Sequence, residues 1–401
     1  MAGEWIDTSL GQVVELKRGY DLPQQDRRTG SIPIVSSSGI TDHHSESMVT
    51  GPGVVTGRYG TLGEVFFIRE DFWPLNTTLY VKDFKGNDPR FISYFLRSID
   101  FIAYSDKAAV PGLNRNHLHQ ARVRVPSNVN EQRTIAHILG TLDDKIELNK
   151  RMNETLEATA RAIFKSWFID FDPVRAKAEG RDTGLPRHIA DLFPDSFEDS
   201  ELGEIPKGWP CMPLNEVFRE TNERVREAEV PEYSSTNDGL QPRSKRFTKK
   251  LAASNSNNKL IRRGYFVFGL SRRVLNFGLM MDDIGSVSSA YKVFTVEQPS
   301  IHPDLLERMM RLRSAYFYNA VSSSSREGQS ISSEGLGWLK FIQPSTDIQE
   351  MFRRVVAPVH NRMLMLQQES HGLACLRDTL LPPLLSGSVR LTEITIPDKE
   401  S

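Results

Sequence analysis

From Ile135 onward, apolar residues recur in alternating steps of four and three: Ile135, Leu139, Leu142, Ile146, then Leu156, Ala160, Ile163 and Trp167, with Asn149 and Asn153 holding the two middle positions. A 3.5-residue repeat of this length predicts a long helix with a seam that needs a partner helix. Adding 217 to each number gives Phe352, Val356, Val359, Met363, Leu366, Ser370, Leu373, Arg377, Leu380 and Leu384, most of them large and apolar. Gln132 maps onto Gln349 by the same offset. The chain therefore reads as two copies of one unit, each a globular part followed by a long helix.

The first helix is expected to start after Pro126, with Asn128 or Asn130 as N-cap and Glu131 in its first turn. The second is expected to start after Pro344, with Asp347 as cap, and to stop near Leu381 because Pro382 and Pro383 follow, which makes Leu384 a weaker seam member. If the two helices pair with each other, orientation follows from the polar positions. A parallel pair sets Asn149 against Leu366 and Arg377 beside Ala160. An antiparallel pair sets Asn149 against Ser370, Arg377 against Leu142 with Asp143 and Asp144 alongside, and Trp167 against Phe352. The antiparallel arrangement satisfies more polar groups and is preferred, although it leaves Asn153 opposite Leu366. It places the two globular parts at opposite ends of the pair. About 37 residues make a rod of roughly 55 Å, longer than the roughly 34 Å turn of B-DNA.

Ahead of the helices the two halves echo each other more loosely. Trp5, Leu10 and Val13 parallel Trp209, Leu214 and Val217; IVSSSGI (34–40) parallels YSSTNDGL (233–240); VRVPS (123–127) parallels FIQPS (341–345). The stretch VVTGRYGTLGEVFFI (54–68) predicts a hairpin, and TTLYVKDF (77–84) and YFVFGL (265–270) predict further strands. RFISYFLRSI (90–99) and PDLLERMMRLRSAYF (303–317) predict amphipathic helices. A Gly-, Pro- and charge-rich stretch over about 175–208 reads as a polar linker.

Composition narrows the class. With 401 residues, 39% hydrophobic and 25% charged, the chain has the make-up of a globular protein of two or three domains. Two cysteines, Cys211 and Cys375, are too few for a Cys-rich metal site and make a disulfide framework unexpected, which fits a reducing cytoplasm. The opening MAGEWIDTSLGQ has no basic segment followed by an apolar one, so no signal peptide is expected, and no apolar run has the length of a membrane span. There is no GxxxxGK[ST] loop and no (D/N)PP(Y/F) tetrad, FDPV (171–174) being only a superficial echo. His43-His44 and His117-x-His119 lack a third ligand, so no metal is expected.

The net charge of −1 is silent about partners, but its distribution is not. Residues 241–273 carry ten basic residues (Arg243, Lys245, Arg246, Lys249, Lys250, Lys259, Arg262, Arg263, Arg272 and Arg273) and no acidic one. With Ser, Asn and Phe interleaved, the run suits phosphate contact, the plainer reading being a solvated basic face. Residues 1–125 are balanced, 14 basic to 14 acidic. There the candidates for DNA contact are Lys17-Arg18, Ser37 within Ser36–Ser38, His43, Arg58-Tyr59, and Asn114-Arg115-Asn116, whose amides and guanidinium match adenine and guanine edges. Each could equally be plain surface.

Three segments now carry a family resemblance: VPSNVNEQRTIAHILGTLDDKIELNKRMNETLEATARAIFKSWFIDFDPV (125–174), LRDTLLPPLLSGSVRL (376–391) and LGEIPKGW (202–209). They resemble the spacer regions and inter-repeat linker of the specificity subunits of Type I restriction–modification enzymes. The start of the second helix, EMFRRVVAPVHNRM (350–363), departs from the pattern seen at Glu131-Gln132. The resemblance implies an α+β fold: two similar mixed α/β target-recognition domains separated by a two-helix antiparallel coiled coil, with an internal pseudo-twofold repeat. Its implied boundaries are a first recognition domain (1–125), first spacer helix (126–170), linker (171–208), second recognition domain (209–344), second spacer helix (345–385) and tail (386–401).

The same resemblance implies a non-catalytic, cytoplasmic subunit that reads a bipartite asymmetric site in double-stranded DNA. It would dock two methyltransferase subunits and the restriction subunits. No cofactor is expected on this chain; S-adenosylmethionine, ATP and Mg are expected on the partners. Phe164, Trp167 and Phe168, with Phe171, would then anchor the methyltransferase interface, the alternative being core packing at the helix end. The competing function is a coiled-coil adaptor that bridges two protein partners without DNA specificity.

Overall fold

The computed structural model describes residues 4–105, 112–226, 230–236, 239–243, 257–269, 276–296, 301–318 and 333–389. They fall into two compact units: Met1–Asn153 with Met363–Ser401, and Glu154–Arg362.

In the first unit, β1 (Trp5–Ser9), β2 (Glu15–Arg18), β3 (Ile32–Ser36), β4 (Gly39–His44), β5 (Gly53–Gly57), β6 (Val65–Ile68), β7 (Trp73–Pro74), β8 (Thr78–Asp83) and β9 (Arg122–Pro126) form three sheets. One has the order β2-β8-β5-β6 and is antiparallel throughout; a second, β4-β3-β7, contains the parallel pair β3/β7; β1 and β9 pair antiparallel just before the first long helix. The predicted hairpin over 54–68 is β5–β6. Helix α1 (Pro89–Arg97) buries Phe91, Ile92, Tyr94, Phe95 and Leu96. Its start is set by Pro89 at the first position and by Asp88, whose carboxylate accepts from the Phe91 amide at 2.8 Å.

The second unit repeats this plan. Its strands are β10 (Phe197–Ser200), β11 (Gly203–Pro206), β12 (Cys211–Pro213), β13 (Phe218–Thr221), β14 (Glu232–Thr236), β15 (Gly239–Pro242), β16 (Lys259–Arg262), β17 (Phe266–Phe268), β18 (Phe277–Leu279), β19 (Ile284–Val287), β20 (Lys292–Val296) and β21 (Lys340–Ile342). The order β13-β20-β17-β18 reproduces β2-β8-β5-β6. The order β15-β14-β19, parallel between β14 and β19, reproduces β4-β3-β7 with β16 added at the edge. The turn chemistry repeats as well. Ser36 donates to the Gly39 carbonyl at 3.2 Å and Thr236 to that of Gly239 at 2.9 Å, and both glycines sit at positive φ (99° and 106°), where a side chain would be strained.

The stretch read as a polar linker folds into this second unit. Val174, Ile189, Phe193 and Ile205 are buried in its core, and Lys177 caps the carbonyls of Ala190 (3.2 Å) and Phe193 (2.5 Å). Its apolar residues are spaced too widely to show as a period, yet they suffice to anchor an irregular segment.

The long helices are α2 (Val129–Phe168) and α4 (Thr346–Ser386), and the amphipathic helix between them is α3 (Pro303–Leu312), broken at Arg313 from a short helix Ser314–Tyr318. Asn128 caps α2 by accepting from the Asn130 amide at 2.9 Å. Ser345, not Asp347, precedes α4 and accepts from Ile348 at 3.4 Å; Asp347 lies in the first turn. Helix α4 does not stop before Pro382-Pro383 but runs through them, as through Pro358, to Ser386. Each proline forfeits one backbone bond, and the last turn is held instead by Leu384 and Leu385, 2% and 7% exposed in the first unit's core. Leu384 is thus well buried rather than marginal. Gly387 ends the helix at φ 71°, against the Trp5 indole.

Within each unit the two long helices pair antiparallel. In the first, Arg377 reaches Asp143 at 2.7 Å, and Asn149 donates to Glu369 at 2.9 Å. In the second, Phe352 packs edge-on against Phe164, Trp167 and Phe168 with ring centroids 5.2–5.9 Å apart. Of the seam, Ile135, Leu139, Asn149, Phe352, Val356 and Leu366 are buried; Leu142, Ile146, Asn153, Leu156, Val359, Met363, Ser370, Leu373 and Leu380 are half-buried. The expected Asn149–Ser370 contact is therefore displaced by one residue, to Glu369, whose longer side chain reaches the amide.

Candidate nucleic-acid interface

In the first unit, β2 ends at Arg18 and β5 hands over to its loop at Gly57. The loop folds back so that Tyr59 bridges Gly112 and the Leu113 amide donates to the Arg58 carbonyl at 3.0 Å. A Cβ on Gly112 would lie 2.5 Å from the Tyr59 ring, so only glycine admits the aromatic here. The Arg58 guanidinium stacks 4.7 Å over that ring. Asn114 caps the short helix Arg115–His119 by accepting from the Asn116 amide at 3.0 Å, leaving Arg115 and Asn116 exposed.

The result is a cleft of about 440 Å³ lined by Arg18, Arg58, Tyr59, Leu79, Gly112, Leu113, Asn114, Arg115 and Asn116, with no carboxylate among the described lining. Arg18 is steadied by the Asn76 carbonyl and Asp21, both at 3.4 Å. Three guanidiniums, an aromatic face and a free amide converge, a set suited to a polyanion and to base edges.

The fold thus gathers Arg18, Arg58, Tyr59, Asn114, Arg115 and Asn116, residues scattered over about a hundred positions. Ser37 stands beside them, its Cβ 3.3 Å from where a Cβ on Gly57 would be. Asn114 spends its carbonyl oxygen on the cap. Lys17 and His43 do not line the cleft: the Lys17 ammonium lies 5.3 Å over Tyr20, and His43 is exposed on β4. The contribution of Leu79 as floor, and the 58–59 to 112–113 pairing, had no local signal in the sequence. Outside the cleft lining, His119 accepts from the Leu16 amide at 2.9 Å, and burial, then Arg115 and Lys85, hold its pKa below the ordinary histidine range.

The basic run of the second unit is less free than its composition implied. Arg243 is paired with Glu232 at 3.5 Å, Arg262 with Glu223 at 3.0 Å, and Arg263 with Asp283 at 2.9 Å. Lys259 is buried, which lowers its pKa. Acids absent from the window, Glu232 of β14 with Glu223 and Asp283 of the loops, pair these three arginines. Lys245, Arg246, Lys249, Lys250, Arg272 and Arg273 lie outside the described residues.

Phe164, Trp167 and Phe168 are 1%, 3% and 0% exposed and pack with Phe193, Trp209 and Phe352. They form the core of the second unit rather than a surface for a partner, because Phe352 and the folded 171–209 segment cover them. Among the described residues no three His, Cys, Asp or Glu side chains are grouped to hold a metal, and no helix is long and apolar enough to cross a membrane.

Two modules of matching topology, each tied to antiparallel long helices, and an arginine-lined cleft define a tandem-repeat α+β protein with the features of a nucleic-acid reader. Residues 3–158 match the family model described as the Type I restriction modification DNA specificity domain. The chain is 36% identical over 130 residues to the Type I restriction enzyme HindI specificity subunit of Haemophilus influenzae, covering 27% of this chain and 28% of that one. It is 27% identical over 302 residues to the MjaIX specificity subunit of Methanocaldococcus jannaschii, covering 72% and 66%. Both alignments thus span less than two thirds of the relative's length. The fold resembles the crystal structure of the Type I restriction–modification S subunit from M. genitalium, with a TM-score of 0.57 at 15% identity over 98% of this chain and 97% of that one. Over its first repeat the chain is thus similar to the DNA specificity domain of Type I restriction–modification systems.

Proposed function

We propose that this chain is the DNA-specificity subunit of a Type I restriction–modification complex and carries no chemistry of its own. Each module reads one half of an asymmetric bipartite site in double-stranded DNA, and the long helices set the gap between the halves. Two methyltransferase subunits and the restriction subunits dock on this scaffold, in the cytoplasm, and bring S-adenosylmethionine, ATP and Mg with them. The observation that carries the DNA reading is the cleft in which Arg18, Arg58 and Arg115 converge with Tyr59 and Asn116.

The test is co-expression with the cognate methyltransferase subunit in a host free of other modification systems, followed by methylome sequencing. The expected result is methylation at a single two-part motif with a fixed gap. Methylation without a motif, or a complex that assembles but ignores DNA, overturns the reading.

A further inference from the structure

Within the first unit, α1 is fastened to α2 at two places. At its N-terminus, Gln132 accepts from the Asp88 amide at 3.0 Å and donates to the Pro126 carbonyl at 3.0 Å. Two residues after Asp88, Arg90 drives its guanidinium into the side of α2. It donates to the Gly140 carbonyl at 2.9 Å and to both oxygens of Asp144, at 2.5 and 3.0 Å. A Cβ on Gly140 would lie 2.4 Å from the guanidinium carbon, so the helix carries a glycine, unfavourable there by roughly 1 kcal/mol, where the arginine enters. Next to it, Asp143 accepts from the Tyr94 hydroxyl at 2.6 Å and from Arg377 of α4 at 2.7 Å. One carboxylate therefore holds the module's helix and the partner long helix together.

The second repeat keeps only part of this. Gln349 accepts from the His302 amide at 3.2 Å and donates to the Pro344 carbonyl at 2.9 Å, as Gln132 does. At the positions of Tyr94 and Asp143 stand Arg308 and His360, 2.9 Å apart, and the position of Gly140 is Ala357. The bidentate arginine entry belongs to the first repeat.

We infer that Arg90, Gly140, Asp143 and Asp144 are positioning residues that fix the angle at which the first module leaves the paired helices, and thereby make the complex strict about the gap between its half-sites. Bidentate guanidinium–carboxylate geometry restricts direction as well as distance, and Asp143 transmits it to both helices. The inference rests on the DNA-specificity reading.

The experiment uses the complex with its methyltransferase subunits, wild type and carrying Arg90→Lys, Gly140→Ala or Asp144→Asn. It measures methylation of a DNA library in which both half-sites are constant and the gap varies by one or two base pairs either way. The variants should accept neighbouring gaps at least tenfold more readily than wild type, with base preference within each half-site unchanged. A role in stability alone would lower activity equally at every gap. Variants that assemble normally and keep the wild-type gap profile overturn the inference. If Gly140→Ala does not fold, the side-chain-preserving Arg90→Lys and Asp144→Asn still decide. A wild type with no two-part motif refutes the functional reading instead, so the two failures are distinguishable.

Discussion

Asn149 donates from its side-chain nitrogen to the Glu369 carboxylate at 2.9 Å, joining α2 to α4 in the middle of a mostly apolar seam. Lys145 lies 3.6 Å from the same carboxylate. The Asn149 side chain is fully buried and its carbonyl oxygen has no partner, so this polar position costs stability while defining which residues meet. Asn149→Leu should therefore raise the melting temperature, by the equivalent of about 1–2 kcal/mol, because Glu369 keeps Lys145 and solvent. Asn149→Asp should do the reverse. Two carboxylates in contact are penalised when both are ionised, so the loss should be largest at neutral pH and shrink as pH falls into the carboxylate range. Thermal melts at neutral and mildly acidic pH check both. A destabilised Asn149→Leu would mean that the amide has another task.

The two glutamine clasps share the same pair of backbone contacts and lie in different units. Gln132 and Gln349 are 1% and 0% exposed, and each satisfies a half-buried amide and a buried proline carbonyl. Replacing either by alanine orphans two backbone groups, so each should cost roughly 2–3 kcal/mol. The double variant should lose the sum, since the sites share no partner. Denaturant melts of the three variants measure this, and strong non-additivity would show that the clasps are coupled.

Two histidines give stability a defined slope with pH. His119 accepts from the Leu16 amide and His360 faces Arg308, and burial first, then neighbouring cations, lower both pKa values. A histidine whose folded pKa is depressed contributes stability that is present above the unfolded pKa and is lost as pH falls through the folded one. The melting temperature should fall between neutral pH and about pH 5. His119→Gln with His360→Gln should flatten that segment of the curve. An unchanged slope would assign it to other groups.

Arg58 and Arg115 face the cleft without an acidic partner among the described residues, whereas Arg262 and Arg263 are already ion-paired. In the assembled complex, Arg58→Ala or Arg115→Ala should weaken DNA binding several-fold and reduce the slope of log affinity against log salt by about 1 each. Arg262→Ala and Arg263→Ala should change that slope by less. Equilibrium binding across a salt series distinguishes the pairs, and an equal effect would place β16 at the DNA.

Much of the architecture was legible. The four–three repeat, its copy 217 residues on and the matched glutamines expressed both long helices and the twofold plan, because a seam must recur with the helical period wherever it is buried. Antiparallel pairing followed from Asn149, Arg377 and Trp167, since a buried polar or charged group needs a partner and only one orientation supplied them. The α4 terminus was misread at Pro382-Pro383 because local propensity omits the burial of Leu384 and Leu385, which holds the last turn in place.

The candidate site was legible residue by residue but not as a site. Arg58, Tyr59, Asn114, Arg115 and Asn116 each have side chains suited to DNA, yet their convergence depends on a bridge between Tyr59 and Gly112 that joins distant loops. Conversely, Arg243, Arg262 and Arg263 of the basic run looked free because their ion-pair partners Glu232, Glu223 and Asp283 lie outside it in sequence. By itself, then, the sequence determined the repeat, the helix partners and their direction, since periodicity and polar satisfaction are local or pairwise constraints. Only the tertiary structure decided which charges remain uncompensated, that Phe164, Trp167 and Phe168 are core rather than surface, and that Gly140 is the entry point of Arg90. Each of these is a property of what the fold brings alongside a residue, which no window of sequence contains.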